Sequence, residues 1–235
     1  MTTAREPPAV LIRDALLVAL TFSSGAIDAI SFMVLGKTFS AFMTGNLVFF
    51  GMRLVSGHGP ALSFVLSSLC AFACGSYLGT SFTTQQGSGL WPWRVSATLL
   101  LTATAQLLFF VIWLAAGAQP AETLTTVLLA VSALGMGLQT AAVRSLAVKG
   151  IFTTAATFTL VALTGDLVGS RPTDEAPRVA SVLAALVTGA SVGCFLVLDV
   201  APLYAPILPL LVTLAVVGIG AFRLNRPASN PDIVN

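Results

Sequence analysis

Eight apolar segments, separated by short polar, glycine- or proline-containing breaks, follow one another along the chain. We expect all eight to be helical, because hydrocarbon offers no hydrogen-bond partners to an open backbone. Six of them are long enough to cross about 30 Å of hydrocarbon, whereas the second and the sixth are short. The segments span 11–35, 40–55, 61–82, 92–116, 122–146, 152–169, 177–199 and 203–222.

The composition agrees with this pattern. Of the 235 residues, 56% are hydrophobic and only 9% are charged, and the mean hydropathy is +0.94. A soluble domain carries about 25% charged residues. The sequence therefore predicts an all-α polytopic membrane protein with one integral membrane domain, 1–235, flanked by polar tails at 1–10 and 223–235. The net charge of +2 is too small to indicate nucleic-acid binding.

An internal repeat divides the chain into halves 11–116 and 122–222. Three landmarks of the first half recur in the same order in the second half, at an offset of 112 to 114 positions. Repeats of this kind are common in secondary transporters, whose binding site lies at the repeat interface. The matched landmarks are 25–29 with 137–141, 39–55 with 152–168, and the pair Gly75 and Gly79 with the pair Gly189 and Gly193.

The distribution of Lys and Arg distinguishes two topologies. If all eight segments cross, seven basic residues lie inside and four outside. If segments two and six dip into the membrane and return, nine lie inside and two outside. The positive-inside rule favours six crossings, which also gives the halves inverted topology. The alternative is that both short segments are ordinary spans that thin the bilayer locally. In either arrangement both termini are cytoplasmic.

Asp28 is the clearest candidate for a functional residue, since it lies about two turns inside the first segment. A carboxylate within a membrane span is costly and usually faces a cavity or a partner. The alternative is a structural acid that is hydrogen-bonded to a neighbouring helix. The further candidates for a substrate or ion site are the uncharged polar residues and the glycine at the same depth, namely Thr44, Gly45, Asn46, Gln139, Thr140, Thr157 and Thr159.

Thr44, Gly45 and Asn46 predict the start of a half-helix, with Thr and Asn as caps and with Gly allowing the backbone to approach a ligand. The positive end of that helix would then point at the ligand. The alternative is that the Thr side chains bond back to their own helix.

The glycines of the two small-residue pairs predict close helix packing. We expect segments three and seven to meet across the pseudo-symmetry axis, or each to support its own half. The residues concerned are Gly75, Gly79, Gly189 and Gly193.

No nucleotide-binding, hydrolase or metal-ligand motif occurs in the sequence. We therefore expect no enzymatic activity, no cofactor and no metal. The three cysteines, Cys70, Cys74 and Cys194, lie in apolar runs and are expected to be buried thiols.

The stretch GAIDAISFMVLGKTFSAFMTGN resembles the signature of the YoaK family (DUF1275) of uncharacterised bacterial multi-pass membrane proteins, and the family resembles this chain over nearly its full length. The family signature is Gly-x-x-Asp-Ala, then Phe, then Thr-Gly-Asn, and all of these residues are present here. In its second half the family tends to Gly-x-Gln-Asn-Ala and a second Thr-Gly. In this chain Thr140 replaces that Asn and Phe158 replaces that Gly. The resemblance implies the fold, whereas the family has no established substrate.

Two functions follow as expectations. The first is a secondary transporter or exporter of the inner membrane for a small polar solute. In that function Asp28 is the proton or cation site, and Asn46 and Gln139 hold the solute beside it. The second is a non-transporting scaffold or stress-response component in which the polar residues hold helices together. The expected partners are the lipid bilayer and the solute. The sequence leaves open whether the protein forms a homo-oligomer, and no binding of nucleic acid is expected.

Overall fold

The computed structural model of the protein describes residues 7–84, 89–148, 160–161, 164 and 176–224. Seven α-helices form most of these residues, and no strand occurs among them. The predicted segment 152–169 lies almost wholly outside the described residues. The helices are α1 (Pro8–Val34), α2 (Met43–Ser56), α3 (Leu62–Thr83), α4 (Trp93–Ala115), α5 (Glu122–Ser145), α6 (Ala176–Phe195) and α7 (Ile207–Ile219).

Six of the described helices are long and apolar enough to cross a membrane. They are α1, α3, α4, α5, and α6 and α7 together with the π-helical turns Leu196–Val200 and Gly220–Leu224 that extend them. Helix α2 has 14 residues and reaches about 21 Å, which is short of the hydrocarbon thickness. The described part of the chain is therefore all helical and has the spans of a multi-pass membrane protein. The observed bounds differ from the predicted ones by at most four residues at the starts of helices, the largest difference being at α7, where Pro202 and Pro206 precede the helix.

Two clusters of buried residues define the two ends of the bundle. One cluster joins the first turns of α1, α4 and α6 to the last turns of α5 and α7, through residues such as Leu16, Val95, Val182, Val143 and Val216. The other joins the last turns of α1 and α4 to the first turns of α3 and α5, through Leu35, Trp113, Phe64 and Leu128. The six long helices therefore run alternately in opposite directions.

Basic side chains concentrate at one of these ends. Arg94 donates to the carbonyl oxygen of Phe82 at the end of α3 (2.8 Å), and Arg178 pairs with Asp14 (3.0 Å). We call this end of the bundle the arginine end. In the described part of the chain, Lys37 and Arg53 are the basic residues at the opposite end. The arginine end carries Arg13, Arg94, Arg144, Arg178 and Arg223.

The connection that contains α2 leaves the bundle core and returns to the same end. Leu35, after α1, and Phe64, in the first turn of α3, belong to one buried cluster. The backbone turns at Gly36 and Lys37, both with positive φ (74° and 60°), and residues 38–42 then descend alongside α1. The amide groups that contact Asp28 lie about 9 Å below the end of α1, since Asp28 is six residues from Val34.

The two glycine pairs bring helices into backbone contact. A Cβ atom on Gly75 of α3 would overlap the carbonyl oxygen of Leu134 in α5, and one on Gly189 of α6 would overlap the carbonyl oxygen of Phe22 in α1. Contact of this kind is typical of small residues at helix crossings in membranes. The expectation that segments three and seven meet each other, or each support its own half, is wrong. Helix α3 packs on α5, and α6 packs on α1.

The partners of these glycines match in register. Phe22 and Leu134 are 112 positions apart, as are Gly25 and Gly137. A Cβ atom on Gly25 would overlap α6 backbone, and one on Gly137 would overlap α3 backbone. Helices α1 and α3 therefore contact α6 and α5, respectively, through positions that correspond at the offset of 112 to 114 residues. The two contacts form parallel helix pairs, because residue numbers rise together on both sides of each.

Candidate functional site

Asp28 anchors the descending backbone to α1. Its Oδ1 accepts hydrogen bonds from the backbone N–H groups of Ser40 (2.9 Å) and Ala41 (2.7 Å), and the N–H of Phe42 also points at the carboxylate. Bonds from N–H groups to a carboxylate are stronger than neutral ones. The carboxylate therefore satisfies backbone donors that apolar surroundings would otherwise leave without partners.

Asn46 of α2 binds the same segment of backbone, at Phe39. Its Oδ1 accepts from the N–H of Phe39 (3.0 Å), and its Nδ2 donates to the carbonyl oxygen of Phe39 (2.7 Å) and to Ser68 Oγ (3.1 Å). Ser68 Oγ in turn donates to the same Phe39 carbonyl (2.6 Å). The amide is fully buried and its polar atoms are occupied by the protein itself.

The predicted capping of α2 is wrong. The helix begins at Met43, its N-cap residue is Phe42, and no side chain caps it. Thr44 is exposed, and Gly45 lies against the rings of Phe39 and Phe42. Asn46 acts one turn later, on the backbone that precedes the helix. The sequence therefore indicated the residues that organise the break but not the bonds they make.

A cavity of about 660 Å³ lies beside Asp28. It is lined by α1, by the turn before α2 and by α6. Its walls are mainly apolar, and Asp28 is the charged residue among them. On the α6 side they include Leu186, Ser191 and Cys194. The cavity lies nearer the end opposite the arginine end, where α1 finishes.

The structure does not bring the other predicted site residues into this cavity. Gln139 is buried in α5, and its Nε2 donates to the carbonyl oxygen of Leu20 (3.3 Å). Thr140 Oγ1 bonds back to the carbonyl oxygen of Met136 in its own helix (2.8 Å). Neither residue lines the cavity, nor do Thr44 and Asn46. Thr157 and Thr159 lie outside the described residues.

Sequence reasoning missed the aromatic wall of the cavity. Phe39 stacks on Phe32 (ring centroids 4.9 Å apart) and meets Phe42 edge to face (5.2 Å). The ammonium group of Lys37 lies over the Phe32 ring, 5.3 Å from its centroid. The signal in the sequence was a run of phenylalanines on both sides of the break, with one Lys among them.

A smaller recess of about 320 Å³ occurs at the arginine end. Thr80 and Thr83 of α3 and Ala141, Arg144 and Ser145 of α5 line it. At the repeat offset, Ala141 corresponds to Ala29 and Arg144 to Phe32, both of which line the Asp28 cavity. The recess is therefore the positional counterpart of that cavity near the other face of the bundle.

The thiols are arranged differently from the expectation. Cys70 and Cys74 are exposed on α3, and Cys194 is half-buried on the cavity wall. Within the described part of the chain, no group of three or more His, Cys, Asp or Glu residues is placed to hold a metal ion. The chemistry that this site offers is a carboxylate that can bind a proton or a cation beside an apolar space.

Comparison with known proteins identifies the family. The profile of the family described as "Protein of unknown function (DUF1275)" matches residues 16–219. A relative, "UPF0700 transmembrane protein YoaK" of Bacillus subtilis (strain 168), is 30% identical over 161 residues, which are 68% of this chain and 70% of that protein. No solved structure matches the chain. The profile covers most of the chain and includes the Asp28 break, the cavity and both glycine contacts, and the chain therefore belongs to the DUF1275 family.

Proposed function

We propose that the protein is a secondary transporter or exporter of the cytoplasmic membrane in which Asp28 is the coupling residue. The observation that carries this proposal is the double placement of Asp28. Asp28 lines an open cavity, and its carboxylate holds the broken segment before α2. Binding at the carboxylate is thereby linked to the position of backbone at the same depth, as a coupled carrier requires.

The proposal includes a topology of six crossings and two related halves of inverted orientation. It is supported by the alternating direction of the six long helices and by the return of α2 to the end that α1 reaches. The register of the two glycine contacts supports the repeat. Broken segments within membrane proteins are tolerated where they line a cavity, as residues 38–42 do here.

In this topology the arginine end is cytoplasmic. Cysteine labelling tests the assignment on a background in which Cys70, Cys74 and Cys194 are replaced by Ala. We expect His58→Cys to react with an impermeant maleimide added outside cells, and Ser145→Cys to react only after permeabilisation. Eight crossings predict the reverse at both positions, so the reverse result would reject the six-crossing topology.

Transport is tested in proteoliposomes with an imposed proton gradient and a panel of labelled solutes. We expect uphill accumulation by the native protein and its loss in Asp28→Asn, because Asn keeps an Oδ1 acceptor for Ser40 and Ala41 but cannot exchange a proton. Asp199→Asn is the matched control, since Asp199 is an exposed acid beyond the cavity. Uphill transport by Asp28→Asn at the native rate would show that Asp28 is not the coupling residue.

A second candidate function is favoured by a specific observation. Both short hydrogen bonds to Asp28 come from backbone, as expected of a structural acid in a scaffold or stress-response component of the membrane. This alternative predicts that no solute is moved by the native protein. It also predicts that Asp28→Asn, which keeps the backbone bonds, behaves as the native protein in every cellular assay.

A further inference from the structure

We propose that the cavity beside Asp28 binds a hydrophobic organic cation, such as a quaternary ammonium or phosphonium compound with aromatic or alkyl groups. The inference rests on the proposed transport function and names the substrate class of the same site. It replaces the small polar solute expected from the sequence.

The polar groups near the cavity argue against a polar solute. A small polar solute needs several donors and acceptors to replace its hydration. Asn46 is fully engaged by Phe39 and Ser68, and Gln139 lies away from the cavity. The hydroxyl of Ser191 bonds to its own helix at the carbonyl oxygen of Val187 (2.9 Å). Asp28 is left as the charged recognition group of the lining, with the Ser24 hydroxyl as the remaining polar side chain within an apolar surface.

A single carboxylate in an apolar wall selects charge more than hydrogen-bonding pattern. An anion would be repelled by Asp28, and a strongly hydrated metal ion would lack further oxygen ligands. An organic cation without donors has a weak hydration shell and can bury its substituents against the walls while its charge faces the carboxylate. The volume of about 660 Å³ lies in the range typical of sites for drug-sized ligands.

The aromatic rings supply the second recognition element. Phe32, Phe39 and Phe42 all line the cavity, and the Phe39 ring contacts both of the others. Aromatic faces attract cations and are the usual means of binding quaternary ammonium groups. The Phe32 ring already attracts a cation of the protein itself, since the Lys37 ammonium lies 5.3 Å from the ring centroid. Lys37 does not line the cavity, so its positive charge acts on a cation at Asp28 from outside the lining.

The experiment uses two probes of nearly equal size and shape but opposite charge, tetraphenylphosphonium and tetraphenylborate. Equilibrium dialysis of each against the full-length protein in neutral detergent measures saturable binding above the protein-free micelle. We expect one saturable site for tetraphenylphosphonium and none for tetraphenylborate. Equal uptake of both ions would show partition into apolar surface only, and would overturn the proposal.

The native cysteines give an independent readout of the location. Cys194 lines the cavity, whereas Cys70 and Cys74 are exposed on α3 and do not. We expect tetraphenylphosphonium to slow alkylation of Cys194 by N-ethylmaleimide without slowing alkylation of Cys70 or Cys74. Saturable binding that leaves the Cys194 rate unchanged would place the cation elsewhere and overturn the assignment of this cavity.

Three variants test the chemistry. Asp28→Asn should weaken tetraphenylphosphonium binding by about tenfold or more, because the charge is lost while the backbone acceptor stays. Lys37→Gln should strengthen it, because a positive charge near the cavity is removed. Ser191→Trp should abolish it by filling the cavity from α6, a change that leaves the bonds of Asp28 intact. Native affinity in both Asp28→Asn and Ser191→Trp would refute the site.

The outcomes separate this inference from the proposed function. If the protein binds tetraphenylphosphonium selectively and Cys194 is protected, but no transport is measured, the cation site is supported and the transporter function is rejected. If the protein binds neither probe but moves a different solute with the proton gradient, the transporter function is supported and the assignment of organic cations as substrates is rejected.

Discussion

Asp28 in α1 and Thr140 in α5 correspond at the 112-residue offset of the predicted repeat, and their surroundings differ in chemistry. Both residues are three positions after a glycine, Gly25 or Gly137, that meets the backbone of the partner helix. Asp28 holds a descending turn and lines an apolar cavity, whereas Thr140 bonds back to its own helix. Phe32 on one side corresponds to Arg144 on the other.

The two regions share helix packing but differ in their polar and aromatic side chains. Helix packing through glycine occurs at corresponding positions of α1 and α5 and of α3 and α6, whereas Asp28 corresponds to Thr140 and Phe32 to Arg144. The packing residues should therefore respond alike to mutation in both halves. The polar residues should respond very differently.

The largest effect is expected for Gly75→Leu and Gly189→Leu. Each side chain would enter the space of a facing backbone carbonyl, and the helices cannot move apart without losing the rest of their contact. We expect each to lower the free energy of unfolding by about 3 kcal/mol or more, at the upper end of overpacking effects. Thermal unfolding and yield in detergent measure this.

Gly218→Leu is the matched control, because a Cβ on this glycine of α7 meets nothing within 4 Å. It should be close to neutral. If Gly75→Leu and Gly189→Leu differed widely from each other, or matched Gly218→Leu, the equivalence of the two contacts would be wrong.

An intermediate effect is expected at Asp28. Asp28→Ala leaves the N–H groups of Ser40 and Ala41 without an acceptor and should cost about 2–4 kcal/mol, since each unsatisfied buried donor costs about 1–3. Asp28→Asn should cost under about 1 kcal/mol, because Oδ1 is kept. The counterpart Thr140→Val should also cost under about 1 kcal/mol, because the methionine carbonyl that its hydroxyl contacts belongs to its own helix.

The same unfolding assay checks these three variants side by side. A large loss in Asp28→Asn would show that the charge itself holds the turn. A large loss in Thr140→Val would show that the second half depends on a polar contact as much as the first half does.

The smallest effect is expected for Gln139→Met. Oε1 of Gln139 is buried without a hydrogen-bond partner among the described residues, and its Nε2 makes one long bond to Leu20. Replacing this amide by an apolar side chain of similar size removes both a weak bond and an unsatisfied atom. The change in stability should be within about 1 kcal/mol of zero. Loss of transport in a stable Gln139→Met protein would restore the solute-binding role expected from the sequence.

The sequence predicted the helices well, because lipid imposes length and apolarity on each span. Helix α3 begins and ends within one residue of the predicted segment 61–82 for that reason. The partners of the glycines could not be predicted, because small residues indicate a close contact without saying with which helix. Asp28 was found as an unusual acid in an apolar run. Its bonds to Ser40 and Ala41 depend on the path of the turn, which no local pattern encodes.

The positions of Asn46 and Gln139 relative to the cavity could not be predicted for a related reason. An amide within a span must find partners wherever it is, so depth alone does not distinguish a free amide from an occupied one. Asn46 meets its partners seven residues back along the chain, at Phe39. Recognising that would have required the three-dimensional path of residues 38–42.

The glycine contacts have a mechanical consequence. Where one helix's Cα atoms sit against another's carbonyl groups, as Gly189 sits on Phe22 and Gly75 on Leu134, no layer of side chains remains to shear. We therefore expect the pair α1 and α6 to move as one rigid unit, and the pair α3 and α5 to move as another. Between α1 and α5 lie ordinary side chains, such as Ile27 and Met136, that can change rotamer. A motion of one pair against the other would pivot along that seam, and it would act on residues 38–42, which are bonded to α1 through Asp28 and to α3 through Ser68.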